Sequence, residues 1–417
     1  MISRVMSAEL AEHAGQRVTI AGWVHRRRQL KSVSFLVVRD RTGLAQVVAG
    51  GDLPAEESVV HVTGTVTRNP QAPGGVELTE PLVEVVSEPV EPPPFDLYRP
   101  VVPATLPTVL DHAPVALRHP LLRAPLEISA ASVAGFRDTL AGLGFTEIHT
   151  PKIVASATES GANVFGIDYF GRRAYLAQSP QFYKQAMVGV FERVFEVGPV
   201  FRAEPHDTVR HLAQYTSLDA ELGFIADHEE VMAVLREVLA GMLESVRHRA
   251  AGAVAALGAR LPEVPAEIPA VHFTEAQRLT GEDEPDLSPA QERWLSDWAL
   301  REHGSEFLFV TGYPMAKRPF YTHPDPARPG YSNGFDLLFR GLELVTGGQR
   351  LHRYDDYVRA LDGDLAPYEG YLRAFRHGMP PHGGFALGLE RWTARLTGAA
   401  NIRQTTAFPR DLHRLSP

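Results

Sequence analysis

Cysteine is absent from the 417-residue chain, which excludes disulfides, thiolate metal sites and a cysteine nucleophile. Also missing is any run of about 18 apolar residues that could span a bilayer, and the first residues lack the basic-then-apolar pattern of a secretory signal. No membrane partner is expected, and a cytoplasmic location is the default. There is no cationic excess either: 50 acidic residues against 41 basic ones leave a formal net charge of −9. That balance argues against a generic nucleic-acid coat, although a local basic patch can still bind phosphate on an acidic protein. The 44% of hydrophobic and 22% of charged residues are ordinary for a globular chain, and the length allows two domains with full cores.

What is present begins with strands. Through residue 90 the segments RVTIAGWVH, SFLVVRD, AQVVAG, VVHVTGTVTR, GVELTE and LVEVVS are separated by turn residues, with no long helix. Five or six short strands in about ninety residues fit a small barrel such as an OB-fold. The basic patch lies here, at Arg26, Arg27, Arg28 and Lys31. Arginines supply phosphate contacts, Phe35 offers a ring on which a base can stack, and the amide of Gln46 can donate and accept at a base edge. Residues 89–107, PVEPPPFDLYRPVVPATLP, are too rich in proline for helix or central strand and read as a semi-rigid hinge. The expected division is therefore a barrel over 1–90, a linker over 91–110 and a second domain over 111–417.

The second domain is organised around VFRAEPHDTVRHLAQYTSLDAELGF, residues 200–224. Alternation predicts two strands joined by a polar loop. By parity Arg202 and Glu204 share a face of the first strand, and Tyr215, Asp219 and Glu221 share a face of the second, opposite Leu218, Ala220 and Leu222. Upstream, Ile128, Val133, Phe136, Leu140 and Leu143 recur at helical spacing before Gly144, and GFTEIHTPKIV reads as a strand bending at Pro151. Residues 158–161 form a small polar loop able to close on a ligand. Ser179 and Pro180 suit a helix start that places Gln181 and Lys184 on one face. Residues 227–249 form an amphipathic helix capped by Asp227, and QERWLSDWALREHG is scaffold. In GFDLLFRGLELVTGGQR, Asp336, Glu343, Thr346 and Arg350 cluster around glycines that permit close backbone approach. Carboxylate with hydroxyl suits Mg²⁺, which takes few protein ligands and shares its substrate's phosphates.

The hairpin FRAE, loop, RH and D-A-E resembles motif 2 (about 194–224) of class II aminoacyl-tRNA synthetases of the aspartyl, asparaginyl and lysyl subgroup. The helix and strand over about 126–155 resemble the family's degenerate motif 1, its dimer interface. PPHGGFALGLER, within about 380–398, resembles motif 3. The resemblance implies an α+β fold: an N-terminal OB-fold β-barrel that binds the anticodon, followed by an antiparallel-sheet catalytic domain flanked by helices. It implies ATP and Mg²⁺, L-aspartate and tRNA(Asp) as partners, and a homodimer. Arg202, Glu204 and Arg391 then carry catalysis, with Arg202 on the α-phosphate, Arg391 on the γ-phosphate side and Glu204 orienting Arg202. Arg210, His211, Leu212, Tyr215 and Glu343 complete the ATP site. Glu159, Gln181, Lys184, Asp219, Thr346 and Arg350 bind aspartate, Glu343 and Thr346 hold the metal with support from Asp336, and Arg26, Arg28, Phe35 and Gln46 meet the anticodon. No side-chain nucleophile is required. Gln214 stands where relatives usually carry glutamate, and the chain lacks the large insertion of the long bacterial enzymes, so it resembles the compact archaeal-type aspartyl form. Charging of tRNA(Asn) as well is left open. The alternatives are an asparaginyl-tRNA synthetase, which should lack a lysine at 184, and a class II-like aspartate amide ligase, which would lack the barrel.

Overall fold

The computed structural model describes residues 4–155 and 163–416, in two compact units that meet between His119 and Pro120. In the first unit, strands β1 (Arg17–Gln29), β2 (Ser34–Arg39), β3 (Leu44–Ala49), β4 (Val59–Arg68) and β5 (Val76–Ser87) close a barrel in the order β1-β2-β3-β5-β4. Alternate residues, among them Ile20, Leu36, Val38, Val47, Val62 and Leu78, fill its interior, as a period of two requires. The two C-terminal segments of the sequence reading are one strand, β5, with Glu80 at φ +50 where its register with β4 shifts. Strand β1 continues through the arginine cluster. At Gly22 a Cβ would come within 2.2 Å of the Arg39 carbonyl, so only glycine fits that crossing.

The proline-dense stretch is not bare linker. Phe95, Leu97 and Val102 are buried between its prolines, and α1 (Leu106–Asp111) and α2 (Ala113–Ala116) follow. Arg118 and Arg39 both pair with Glu57, at 2.8 and 2.9 Å. These apolar anchors and this buried ion pair hold residues 91–119 within the first unit.

The second unit opens with α3 (Pro120–Gly142), then β6 (Thr146–Glu147) and β7 (Ile153–Val154). The predicted bent strand thus becomes two, which belong to different sheets on either side of Pro151. A small sheet joins β7 to β8 (Gly166–Tyr169) and β9 (Arg172–Leu176), and α4 (Gln181–Phe191) leads into the hairpin of β10 (Arg193–Phe201) and β11 (Gln214–Gly223). Then come α5 (His228–Arg249), α6 (Ala251–Leu257), β12 (Ala270–His272), α7 (Phe273–Thr280), α8 (Pro289–His303), β13 (Phe307–Thr311), β14 (Gly334–Phe339), β15 (Leu342–Arg350), α9 (Tyr354–Ala360), α10 (Glu369–Leu372), β16 (His382–Gly388) and α11 (Leu389–Thr397). The main sheet runs β12-β13-β14-β15-β16-β11-β10-β6. It is antiparallel except for its two end pairs.

One face of this sheet, with Leu218, Ala220, Leu337, Phe385 and Leu387, packs on α3, α5 and α11 as the core. Helices α3 and α5 cross closely because both present glycine: a Cβ on Gly241 would meet the Thr139 hydroxyl at 1.9 Å and one on Gly135 the Gly241 carbonyl at 2.6 Å. Asp227 caps α5 by accepting from the Glu229 N–H at 2.8 Å, and a Ser288–Gln291 capping box starts α8. No helix among the described residues is long and apolar enough to cross a membrane.

Candidate active site

The sheet's other face carries the charge. Register pairs Asp336 with Thr346, Thr346 with Ala386, Ala386 with Asp219 and Asp219 with Glu196. Residues directly opposite one another share a face, so this row crosses five strands on the side away from the core. The adjacent row runs Gly334, Gly348, Gly384, Glu221. Two of its glycines are required: a Cβ on Gly384 would lie 2.1 Å from the Glu221 carboxylate and one on Gly348 2.7 Å from the Asn333 carbonyl. Above these rows opens a cleft of about 520 Å³.

Of the residues singled out in sequence, Arg202, Glu204, Arg210, His211, Leu212, Tyr215, Gln181, Glu343, Thr346, Arg350 and Arg391 all line that cleft. Strand β10 ends at Phe201, so Arg202 and Glu204 enter from the loop, although the Arg202 N–H still donates to the Ala213 carbonyl at 2.8 Å. Helix α4 starts one residue later than its N-terminal signal predicts, with the Ser179 hydroxyl accepting from the Gln181 N–H at 3.3 Å. Gln214 is exposed and off the cleft lining. Glu159 lies outside the described residues.

Lys184, Asp219 and Asp336 lie beneath the lining instead. Lys184 is 1% exposed; its ammonium donates to Asp219 Oδ1 at 2.9 Å and to the Phe385 carbonyl at 3.1 Å, and Glu221 Oε2 lies 3.4 Å away. Arg350 donates through Nε to Glu221 Oε1 at 3.1 Å and through Nη2 to the Gly384 carbonyl at 3.0 Å. Two cations and two carboxylates thus form a quartet linked in the order Arg350, Glu221, Lys184, Asp219, with the Ser217 hydroxyl donating to the outer oxygen of Asp219. Burial pushes the Glu221 carboxyl up, but Arg350 and Lys184 outweigh it and hold the group below its ordinary value. Behind the quartet His382 is pushed down to about 4 by burial. Its Nδ1 faces the Pro380 carbonyl at 2.9 Å and its Nε2 the Gln185 amide at 3.1 Å. A neutral ring satisfies both, donating from Nδ1 and accepting at Nε2.

At the other end, Thr346 donates to Glu343 Oε1 at 3.0 Å and Arg391 Nη1 reaches the Glu343 carbonyl at 3.4 Å. Burial, then the neighbouring Asp336, push the Glu343 carboxyl up to about 7. Asp336 is itself bound at 3.0 Å by Arg318, whose guanidinium lies 4.0 Å from the Tyr313 ring centre. No group of three or more His, Cys, Asp or Glu among the described residues can hold a metal ion. The donor set fits an open site of carboxylate and hydroxyl, the kind Mg²⁺ completes with water and phosphate oxygens.

Sequence reasoning missed Glu221 as the partner of Arg350, though parity had put it on the charged face. It missed Ser217 and Arg318, which also line the cleft, and Glu390, which accepts from the Thr216 N–H at 3.0 Å and is pushed up to about 7 by burial. It also missed that residues 330–334, GYSNG, have the spacing of a nucleophile elbow. Ser332 is buried and its hydroxyl donates to the Tyr313 carbonyl at 2.9 Å, so it is committed to structure.

On the barrel, register places Arg28 opposite Phe35, Arg26 opposite Val37, and Gln46 opposite both Val37 and Glu77. All four predicted residues therefore share its outer face. A shift at His25 turns the arginines outward, as a bulge does. Arg26 lies 4.6 Å from the Tyr98 ring centre. The amides of Gln46 and Asn69 both donate to Glu77 Oε2, at 2.8 and 2.9 Å, a shared acceptor the sequence did not reveal.

Residues 106–412 match the family described as tRNA synthetases class II (D, K and N), and residues 18–86 match the OB-fold nucleic acid binding domain. The chain is 48% identical to the aspartate–tRNA(Asp/Asn) ligase of Thermus thermophilus over 99% of its own length and all of the relative's. It is 48% identical to the ligase of the same name from Deinococcus radiodurans, covering 100% and 99%. Among solved structures, the asparaginyl-tRNA synthetase of Pyrococcus horikoshii complexed with asparaginyl-adenylate superposes with a TM-score of 0.92 at 30% identity, covering both chains fully. A putative aspartyl-tRNA synthetase from Leishmania major gives 0.88 at 28%, covering 100% of this chain and 97% of that one. With a matching catalytic domain, a matching barrel and relatives aligned over the full length, the chain belongs to the class II tRNA synthetases of the D, K and N group.

Proposed function

We propose that the protein activates L-aspartate with ATP and transfers it to tRNA(Asp) and also to tRNA(Asn), as the names of its 48%-identical relatives describe for them. In the first step an α-carboxylate oxygen of aspartate bonds to the α-phosphorus as the bond to pyrophosphate breaks, giving aspartyl-adenylate. Two anions must meet, so the site needs fixed cations more than a base. Arg202 faces the α-phosphate, Arg391 the γ-phosphate side, Arg210 and His211 the phosphates and base, and Tyr215 stacks on adenine. Glu343 and Thr346 would hold Mg²⁺, supported by Asp336, and the ion would supply positive charge at the phosphates. In the second step a hydroxyl of the terminal adenosine of tRNA attacks the aspartyl carbonyl and AMP leaves.

The observation that carries the aspartate reading is the closed end of the cleft, where Arg350 and Lys184 stand together. Glu159 is assigned to the substrate ammonium, Gln181 to the amino-acid pocket and Arg350 to the side-chain carboxylate, with Lys184 and Asp219 fixing the field from behind. Arg26, Arg28, Phe35 and Gln46 meet the anticodon. Motif 1 makes the homodimer, supported by exposed apolar Ile153 on β7, and the enzyme works in the cytoplasm, where translation runs. Pyrophosphate exchange driven by aspartate and not asparagine, followed by charging of transcripts of both tRNAs, tests the reading. Exchange driven by asparagine would replace it with the asparaginyl alternative.

A further inference from the structure

Glu292 is a buried carboxylate for which the proposed reaction has no use. It sits in the first turn of α8, the helix read in sequence as scaffold, and is 9% exposed. Its Oε2 accepts from the backbone N–H of Glu343 at 3.1 Å. That N–H needs an acceptor because β15 is irregular there: Leu337 pairs with Val345, but the next residue, Leu338, pairs with Glu343. Leu344 is the extra residue of a bulge, which interrupts the ladder and leaves backbone groups to be satisfied from elsewhere. The bulge also has a consequence for side chains. In an unbroken strand residues 343 and 346 point to opposite faces, yet here Thr346 donates to Glu343 at 3.0 Å on the cleft side.

We propose that Glu292 is a positioning residue: by accepting from Glu343 it holds the Leu344 bulge, and the bulge turns Glu343 and Thr346 to the same face. This rests on the reading of Glu343 and Thr346 as the residues that hold Mg²⁺ with ATP. Glu292 touches neither ligand and acts through the backbone of one that does. It is the bond, not the charge, that matters here, so glutamine, whose amide oxygen can accept the same bond, should serve and alanine should not.

The test compares E292A, E292Q and E343Q in the full-length protein. Hydrogen exchange at the amides of residues 342–346 is read by mass spectrometry, binding of Mn²⁺ in the presence of ATP by its EPR signal, and KM for ATP and for aspartate by pyrophosphate exchange. In E292A the Glu343 amide should exchange at least about tenfold faster. Mn²⁺ affinity should fall roughly 10–100-fold, the usual loss when an outer partner of a metal ligand is removed, with KM for ATP rising and KM for aspartate unchanged. E292Q should bring all of these back to within about threefold of the wild type. Unchanged exchange at residue 343 in E292A overturns the proposal, and so does an E292Q protein as impaired as E292A. Wild-type Mn²⁺ affinity in E292A, with faster exchange, removes the positioning role alone. Wild-type Mn²⁺ affinity in E343Q removes the reading of Glu343 on which it rests.

Discussion

The barrel and the cleft handle charge in opposite ways. On the barrel, Arg28 is exposed and Arg26, Phe35 and Gln46 are half-buried on one outer face; Gln46 is tied to Glu77 and Arg26 lies over Tyr98, but none of the four is held by another of them. In the cleft, Lys184, Asp219, Glu221 and Arg350 are all buried, and each is paired with at least one of the others. A solvated charge needs no partner to be tolerated, whereas a buried one must be paired and hydrogen-bonded or it costs several kcal/mol. Residues on the barrel face should therefore act nearly independently, and the residues of the quartet should act as one unit.

The largest effects are expected where that unit is broken. Arg350→Leu removes the planar fork that offers two parallel bonds to a carboxylate, and aspartate kcat/KM in pyrophosphate exchange should fall by about 10³ or more while KM for ATP moves little. Lys184→Leu should cost activity on a similar scale and, in addition, stability of about 3–5 kcal/mol, because it leaves Asp219 and Glu221 with one cation between them. Near-wild-type aspartate kinetics in either variant would return these residues to structure and reopen the asparaginyl alternative. A double-mutant cycle of Lys184→Met with Glu221→Gln should show a coupling above about 1 kcal/mol in urea unfolding. The barrel pair Arg28→Ala and Gln46→Ala should add to within about 0.5 kcal/mol in tRNA binding. Additivity in the quartet would erase the contrast between the two regions.

Phe35→Ala comes next. Base stacking on an aromatic ring contributes roughly 1–3 kcal/mol, so aminoacylation kcat/KM for tRNA should fall tens-fold while tRNA-free pyrophosphate exchange is untouched. Equal loss in both assays would mean that the barrel face is not a separate tRNA-binding surface. Asn69→Ala should have a smaller effect in the same direction, through the orientation of Glu77 and with it Gln46.

The same contrast explains what could be read from the sequence. Arg202, Glu343, Arg350 and Arg391 were legible because each lies in a short motif that resembles one of the family's, and all four line one cleft. Their partners were not found. Glu221 meets Arg350 from 129 residues away and Glu292 meets Glu343 from 51, and no local pattern encodes a contact made by tertiary packing. Lys184 was legible as a residue, but not as one already saturated by Asp219 and a carbonyl. The barrel strands themselves were legible from alternation, whereas their order, β1-β2-β3-β5-β4, is set by tertiary pairing. Continuity of β5 did not, because Glu80 and Pro81 look like a turn in sequence and form a twist within one strand in the fold. The proline run looked like a hinge because its anchors, Phe95 and Leu97, are single apolar residues without a period.

The smallest expected effect separates the two units by pH. In the barrel unit His25 is pushed down to about 4, by burial and then by Arg39, from an ordinary 6.5. Its Nδ1 lies 3.0 Å from the Arg39 guanidinium, which donates, so the ring is held neutral. A base with a lowered folded pKa contributes stability that is fully present above 6.5 and is lost as pH falls toward 4, because the unfolded chain takes up the proton first. Asp40 in the same unit is held below its ordinary value, so its contribution goes only at lower pH and offsets nothing in this window. In the cleft unit His382, with His211, His228, His272 and His352, pulls the same way, but Glu343 and Glu390, both raised to about 7, and Glu292 pull against them: an acid with a raised folded pKa adds stability as pH falls from 7 toward 4.5. Urea unfolding of the full chain, with each unit followed by pulsed hydrogen exchange, should show the barrel losing stability steadily from pH 6.5 to 4.5 and the cleft unit responding less. His25→Gln should flatten the barrel's response and leave the other unit's unchanged. A barrel as indifferent to this pH range as the cleft would show that His25 carries its proton in the folded state, and that the Arg39 pairing is not what holds it.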